Sequence, residues 1–264
     1  SSSADPPPPI RSRGDLPQML DALWKELATP QAPPPDLVIV ACGLGVLAVV
    51  LHPTSWQITR GLITIAHEGG HALAALLSRR KLAGIRLHSD TSGVTLTKGK
   101  PTGLGMIATA AAGYVAPSLL GLGGAVLASA GYVRVLLWGA LVLLAGMLLL
   151  IRNVFGAVSL LVVGGALFAL SWFTPDEVQG VVAYLGVWFL LGGGVRPIFE
   201  LQGKRRRGTA GNSDADQLAR LTRIPGTVWV GFFFVVAAAS LVYGGYLLLP
   251  ADLLPRGLVS ALVP

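Results

Sequence analysis

The chain has 264 residues, of which 53% are hydrophobic and only 12% are charged. A soluble domain of this size carries more charge, so the composition indicates a membrane protein with several apolar spans. The net charge of +7 is no sign of nucleic-acid binding, because the basic residues lie in loops beside apolar segments. There they orient a membrane protein and meet the headgroups of the lipid bilayer, and we expect no nucleic acid among the partners.

The N-terminal segment, residues 1–36, is polar and rich in proline, which disfavours regular structure. Between its two proline runs, apolar residues recur with helical spacing, and Asp15 stands where it can cap a helix. These apolar residues are Leu16, Met19, Leu20, Leu23, Trp24 and Leu27. They predict a short amphipathic helix that lies on the membrane surface or on a membrane-protein partner. A plain helix in a tail without a partner fits the same pattern.

The remainder, residues 37–264, is predicted to be a single membrane domain with about seven helices. Its apolar spans are 37–51, 57–77, 103–130, 133–151, 154–173, 178–198 and 227–249. After the second span, residues 84–98 alternate apolar and polar side chains around a Ser-Asp-Thr-Ser-Gly turn, which predicts a β-hairpin. The stretch from Gly192 to Pro197 predicts a helix break at the membrane border. The expected fold is therefore an all-α polytopic membrane protein with a small cytoplasmic β-hairpin after the second helix.

The positions of the basic residues predict how these spans are oriented. With seven spans and a cytoplasmic N-terminus, the inside segments are 1–36, 78–102, 152–153 and 199–226. They hold 16 of the 20 Lys and Arg residues. The positive-inside rule favours this orientation and puts the C-terminus outside.

The second span carries the sequence His67-Glu68-Gly69-Gly70-His71 inside an apolar run. Two histidines four residues apart project from the same face of a helix, so their imidazoles can share one zinc ion. The glutamate beside the first histidine can then take a proton from a zinc-bound water. Ionisable residues at membrane depth indicate a functional site, because burying them unpaired is costly. The motif predicts a zinc site about 10 Å from the end of its helix at Ser78.

These features make the chain resemble the site-2 protease family of intramembrane zinc metalloproteases, in particular a compact bacterial branch without a PDZ domain. The resemblance rests on the motif within a membrane helix, on the hairpin after it, and on Ala112-Gly-Tyr-Val-Ala-Pro-Ser118 in the next span. These cover about residues 57–120. The run Ser213-Asp-Ala-Asp-Gln-Leu218 before the last span is similar to the same branch. The resemblance implies an integral protein of a bacterial plasma membrane.

By this resemblance, His67 and His71 are zinc ligands and Glu68 is the general base. Typical members supply a third ligand from an Asp in an Asn-Pro-x-x-Asp-Gly type of motif on a later membrane helix. Here the corresponding residues 152–156 contain no carboxylate. We prefer Asp214 as the third ligand. However, Ser213 followed three residues later by Asp216 also predicts a capped helix start, where acidic residues are simply favourable. The alternatives that stay open are Asp216, Asp90, His88 and Asn153.

The sequence supports one leading function and one alternative. The leading hypothesis is an intramembrane zinc endopeptidase that hydrolyses a peptide bond in or near a transmembrane segment of a membrane protein substrate, with Glu68 as general base. The alternative is a non-catalytic, protease-like scaffold or regulatory subunit that still binds zinc, which the missing Asp motif favours. A transporter would show an internal repeat, and the sequence has none.

Overall fold

The computed structural model describes residues 29–209 and 211–250, together with residue 253 and six positions between 17 and 27. Those six positions, which include Trp24 and Leu27, are helical. The other residues of the amphipathic stripe, Leu16, Met19, Leu20 and Leu23, lie outside the described residues. The amphipathic helix and the partner expected on it therefore stay predictions.

From residue 29 onward, the described part of the chain forms eight helices and one β-hairpin. In order they are α1 (Asp36–Leu51), α2 (Pro53–Leu77), β1 (Lys81–Leu87), β2 (Gly93–Lys98), α3 (Leu104–Ser129), α4 (Val133–Leu150), α5 (Val154–Phe173), α6 (Asp176–Arg206), α7 (Asp214–Thr222) and α8 (Gly226–Leu248). Five of them, α3, α4, α5, α6 and α8, are long and apolar enough to cross a membrane. A mostly helical membrane protein with one antiparallel hairpin is therefore confirmed.

The helices α1 and α2 correspond to the two spans that the sequence predicts as separate crossings. Pro53 begins α2, and His52 before it is extended, because a following proline disfavours the helical conformation. The two helices meet at an angle of 103°, so together they count as one broken span. In the described part of the chain this gives at most six crossings. The predicted number of seven is not confirmed.

One end of the bundle carries the hairpin, and we call it the hairpin end. The backbone N–H of Arg152, between α4 and α5, donates to the Ile85 carbonyl of β1 at 2.8 Å. The start of α3 lies at the same end, since a Cβ on Gly105 would be 3.1 Å from the Cβ of Ser78. The segments at this end, 78–102, 152–153 and 199–226, hold 13 of the 20 Lys and Arg residues.

The described residues before α1 lie at the opposite end of the bundle. The Gln31 N–H donates to the Gly131 carbonyl at 2.8 Å, and Gly131 follows α3, a helix of 26 residues and hence about 39 Å. The charge pattern predicts that residues 1–36 lie on the same side as the hairpin, and for residues 29–35 this prediction is wrong. The reason is the bend: α1 and α2 together form one broken span that leads from this opposite end to the hairpin end.

Helix α3 lies at the centre of the bundle, packed against α2, α6 and α8. Glycines allow these close approaches: a Cβ on Gly70 of α2 would lie 2.3 Å from the Cβ of Ala116, and one on Gly194 of α6 would lie 2.4 Å from Ser118 Oγ. The predicted break between Gly192 and Pro197 is wrong, because α6 is continuous there. Its glycines serve helix packing.

Candidate metal centre

The two histidines of the motif project from α2 toward α3. The Thr109 carbonyl can only accept a hydrogen bond, so His71 Nδ1 donates to it, at 2.7 Å. A proton on Nδ1 leaves the lone pair on Nε2, which is the arrangement that metal-binding histidines have. The His67 ring packs edge to face with Tyr114, with ring centroids 4.8 Å apart. Helix α3 therefore fixes the orientation of both imidazoles.

Asp214, the first residue of α7, lies beside the two imidazoles. Its Oδ2 atom is 3.2 Å from His67 Nε2 and 3.3 Å from His71 Nε2, and the two Nε2 atoms are 3.1 Å apart. A tetrahedral zinc ion with bonds of about 2.0 Å separates its ligand atoms by about 3.3 Å. The triangle of two nitrogens and one carboxylate oxygen therefore has the dimensions of a zinc site.

Gly113 of α3 provides the space next to these atoms. A Cβ at this position would lie 2.4 Å from His71 Nε2 and 2.6 Å from His67 Nε2, far closer than atoms in contact. The absence of a side chain leaves a cradle at the two nitrogens. Two imidazoles, a carboxylate and an adjacent space form a donor set that fits catalytic zinc.

Asp214 depends on α7, and three kinds of contact hold this short helix in place. The Ser213 hydroxyl caps it by accepting from the Asp216 N–H at 3.3 Å, as its sequence pattern predicts. The Asp216 carboxylate also pairs with the Arg205 guanidinium of α6. On the apolar side, Ala215 and Leu218 are completely buried. The third candidate ligand is thus positioned by a cap, an ion pair and apolar packing.

The surroundings of Asp214 favour its ionised form. Burial by itself raises the pKa of this carboxyl. When the imidazoles are protonated, the positive charge of His71 and the hydrogen bonds from His67 and His71 outweigh burial and hold the pKa of Asp214 below its usual range. An aspartate binds a metal ion in its deprotonated carboxylate form, which is the form that a lowered pKa favours.

Glu68 is buried, with 4% of its surface exposed, and contacts the hairpin. The Thr95 hydroxyl of β2 donates to Glu68 Oε2 at 2.7 Å. A Cβ on Gly93 would lie 2.6 Å from Glu68 Cγ, so the strand approaches the side chain as closely as a glycine permits. Strand β2 therefore forms one wall of the site and orients the carboxylate.

The other residues considered as third ligand have different partners. Asp216 pairs with Arg205. Asp90 accepts hydrogen bonds from the Ser92 hydroxyl at 2.6 Å and from the Ser92 N–H at 3.0 Å. These bonds lower the pKa of Asp90. His88 contacts the same hydroxyl. The Asn153 amide donates to the Leu87 carbonyl at 2.6 Å and accepts from the Leu87 N–H at 3.2 Å. Asp90 and His88 thus stabilise the hairpin turn, and Asn153 attaches β1 to the bundle.

A charged cluster that the sequence analysis missed lies beside the bend between α1 and α2. Glu200 of α6 accepts from Trp56 Nε1 at 2.7 Å and pairs with Arg60 at 3.4 Å and with Arg196 at 3.5 Å. Arg196 also donates to the Val50 carbonyl near the end of α1. The spacing of Arg196 and Glu200, four residues apart in an apolar run, could have revealed this cluster.

The fold and the site together define an integral membrane protein with a partly buried candidate metal centre of two histidines and one carboxylate. The chain matches the family model described as Peptidase M50B-like over residues 40–244, which is most of its length. It therefore belongs to this family of membrane metalloproteases, and its resemblance to the site-2 proteases is confirmed. Comparisons with curated proteins and with solved structures gave no match.

Proposed function

We propose that this protein is an intramembrane zinc endopeptidase that hydrolyses a peptide bond in or near a transmembrane segment of another protein. His67, His71 and Asp214 hold the zinc ion, and Glu68 is the general base. The observation that carries this proposal is the triangle of ligand atoms, with separations of 3.1–3.3 Å, next to a buried glutamate inside an apolar helical bundle.

Bound zinc would polarise the scissile carbonyl and lower the pKa of the attacking water molecule. Glu68 accepts the proton of this water as the water oxygen forms a bond to the carbonyl carbon. As the carbon–nitrogen bond breaks, Glu68 passes the proton to the departing amine. The Thr95 hydroxyl orients the carboxylate before the substrate binds. A substrate helix has to unwind locally, because its carbonyls otherwise accept hydrogen bonds within the helix.

We further propose that the hairpin end faces the cytoplasm of a bacterial cell. Its 13 Lys and Arg residues support this orientation through the positive-inside rule. His71 is seven residues from Ser78, so the site lies about 10 Å from this end of α2. The described residues on either side of the membrane domain, 29–35 and 249–250, then lie on the outer side, which replaces the cytoplasmic N-terminus expected from seven spans.

The substitution Glu68→Gln tests the mechanism. The variant should retain bound zinc, because Glu68 is not a ligand, and should lose cleavage of a co-reconstituted panel of model transmembrane helices by a factor of about 10² or more. Glu177→Gln is the control, since Glu177 is exposed at the opposite end of the bundle. If Glu68→Gln cleaves as fast as the Glu177→Gln control, the proposed mechanism is wrong.

The non-catalytic scaffold has one observation in its favour. The Glu68 carboxylate faces β2 and is nearly inaccessible, so the strand has to shift before a substrate can reach it. A scaffold would hold zinc, would cleave no member of the panel and would keep its cellular function in the Glu68→Gln variant. An endopeptidase would lose that function in the same variant.

A further inference from the structure

A polar cavity of about 330 Å³ lies beside the candidate metal centre. Its wall includes Arg60 of α2, Tyr114 of α3, Lys204 of α6 and Ser213. It adjoins the metal centre in two ways: the Tyr114 ring packs on His67, and Ser213 directly precedes Asp214. A peptide bound across the three ligands would therefore have this cavity next to its cleaved bond.

The charges around this cavity do not balance. Glu200 is a carboxylate of its wall, and both of its oxygens are already engaged, by Trp56 and Arg196 on one side and Arg60 on the other. The Lys204 ammonium has no carboxylate within 4.0 Å among the described residues. Glu200 thus offsets the two arginines at most in part, and Lys204 adds an uncompensated positive charge. Lys204 is exposed and Arg60 is partly buried, and the two cations line the same concave wall. Clefts lined mainly by one sign of charge attract the opposite sign, so the cavity favours a negatively charged group.

The position of the cavity indicates where this negative group comes from. Arg60 lies about two turns before His67 on the same face of α2, the face that turns toward α3. Tyr114 closes the cavity from α3. A lipid headgroup would approach the outer surface of the bundle, whereas this cavity lies against the metal centre itself. Its volume is at the lower end of the range for ligand sites, about 300–1,000 Å³, and therefore suits one side chain with its backbone.

We propose that the cavity binds an acidic side chain of the substrate, a few residues from the cleaved bond, with Lys204 and Arg60 as the recognising cations. This inference rests on the proposed endopeptidase function. It assigns a substrate class, namely transmembrane segments with Asp or Glu close to the cleaved bond at the hairpin end. A charge-assisted contact of this kind should favour an acidic residue by about tenfold in kcat/KM.

The test uses the zinc-loaded full chain in bilayers and a panel of model transmembrane peptides. The peptides are identical except for Asp, Asn or Lys at one position, moved through the four residues on either side of the cleaved bond. The parent should prefer Asp about tenfold at one position. Lys204→Glu should remove or reverse this preference. Arg206→Glu is the matched control, because Arg206 is exposed on the same helix end but is not part of the cavity wall, and it should keep the preference.

Equal cleavage of the Asp, Asn and Lys peptides at every position would overturn the proposal, as would a preference that Lys204→Glu leaves unchanged. The parent is also tested in bilayers with and without phosphatidylglycerol. If it prefers Asp peptides in neutral bilayers and loses this preference when phosphatidylglycerol is present, the cavity takes a lipid headgroup and the proposal is also overturned. If no peptide is cleaved, the proposed endopeptidase function fails by itself. Binding of the same peptides to the zinc-loaded Glu68→Gln protein then decides: tighter binding of Asp peptides that Lys204→Glu removes supports the cavity, and equal binding rejects it.

Discussion

Gly113 allows the most direct test of the candidate metal centre, because the structure specifies what a single methyl group would do there. A Cβ would lie 2.4 Å from His71 Nε2, 2.5 Å from His71 Cε1 and 2.6 Å from His67 Nε2, whereas ordinary contact begins at 3.4 Å. In the variant Gly113→Ala, the nearest nitrogen or the α3 backbone therefore has to move by about 1.0 Å, the difference between 3.4 and 2.4 Å.

A displacement of this size removes the geometry of a zinc site, in which ligand distances hold to within about 0.2 Å. Changes outside the ligand shell already lower metal affinity by about 10- to 100-fold. We therefore expect Gly113→Ala to weaken zinc binding by more than about 100-fold, equivalent to about 2.7 kcal/mol. Overpacking costs about 1–3 kcal/mol, and the better helix propensity of alanine offsets up to about 1 kcal/mol, so the protein should remain folded.

The assay is a competition titration of purified protein with a zinc chelator, together with a thermal melt of the metal-free protein. Gly123→Ala is the matched control, because it lies on the same helix and a Cβ there has no atom within 4 Å. If the two variants bind zinc with the same affinity, the nitrogens beside Gly113 do not hold the metal and the reasoning is refuted.

Two further substitutions test how the third ligand is supplied. Asp214→Asn removes the only anion of the proposed ligand set and should lower zinc affinity by at least about 100-fold, whereas Asp90→Asn in the hairpin turn should not. Equal affinities of these two variants in the same titration would exclude Asp214 as a ligand. Arg205→Met breaks the ion pair with Asp216 that holds α7 and should lower zinc affinity by about 10- to 100-fold, with Arg206→Met as control. Unchanged affinity in Arg205→Met would mean that the cap and the apolar face position α7 without the ion pair.

Much of this fold can be predicted from local sequence patterns. The apolar runs predict α3, α4, α5 and α8 to within one residue at each end, and the alternating pattern around the Ser-Asp-Thr-Ser-Gly turn predicts the hairpin. The His-Glu-x-x-His spacing predicts that two imidazoles share one face of α2, because 3.6 residues per turn brings positions four apart together. Ser213 predicts the start of α7 in the same way, since a cap acts over three residues. All of these depend on residues close together in the chain.

Other features depend on contacts between distant residues, and only the tertiary structure decided them. His52-Pro53 allows either a short loop between two crossings or a sharp bend, and the packing of α1 and α2 against α6 selects the bend of 103°. That choice also moves residues 29–35 to the end opposite the hairpin. The sequence offers five possible third ligands, and nothing local separates Asp214 from Asp90 or Asn153.

The sequence by itself therefore determined the membrane class, most of the helices and the pair of histidines with its glutamate. The structure added the position of Asp214 Oδ2 beside the two imidazoles, the space at Gly113 and the cavity beside Lys204. The physical reason is the range of the interactions: helix periodicity, turns and caps act within a few residues. The approach of Asp214 to His71, 143 positions earlier in the chain, requires the small residues of α3 to bring α2 close and the pairing of Arg205 with Asp216 to dock α7.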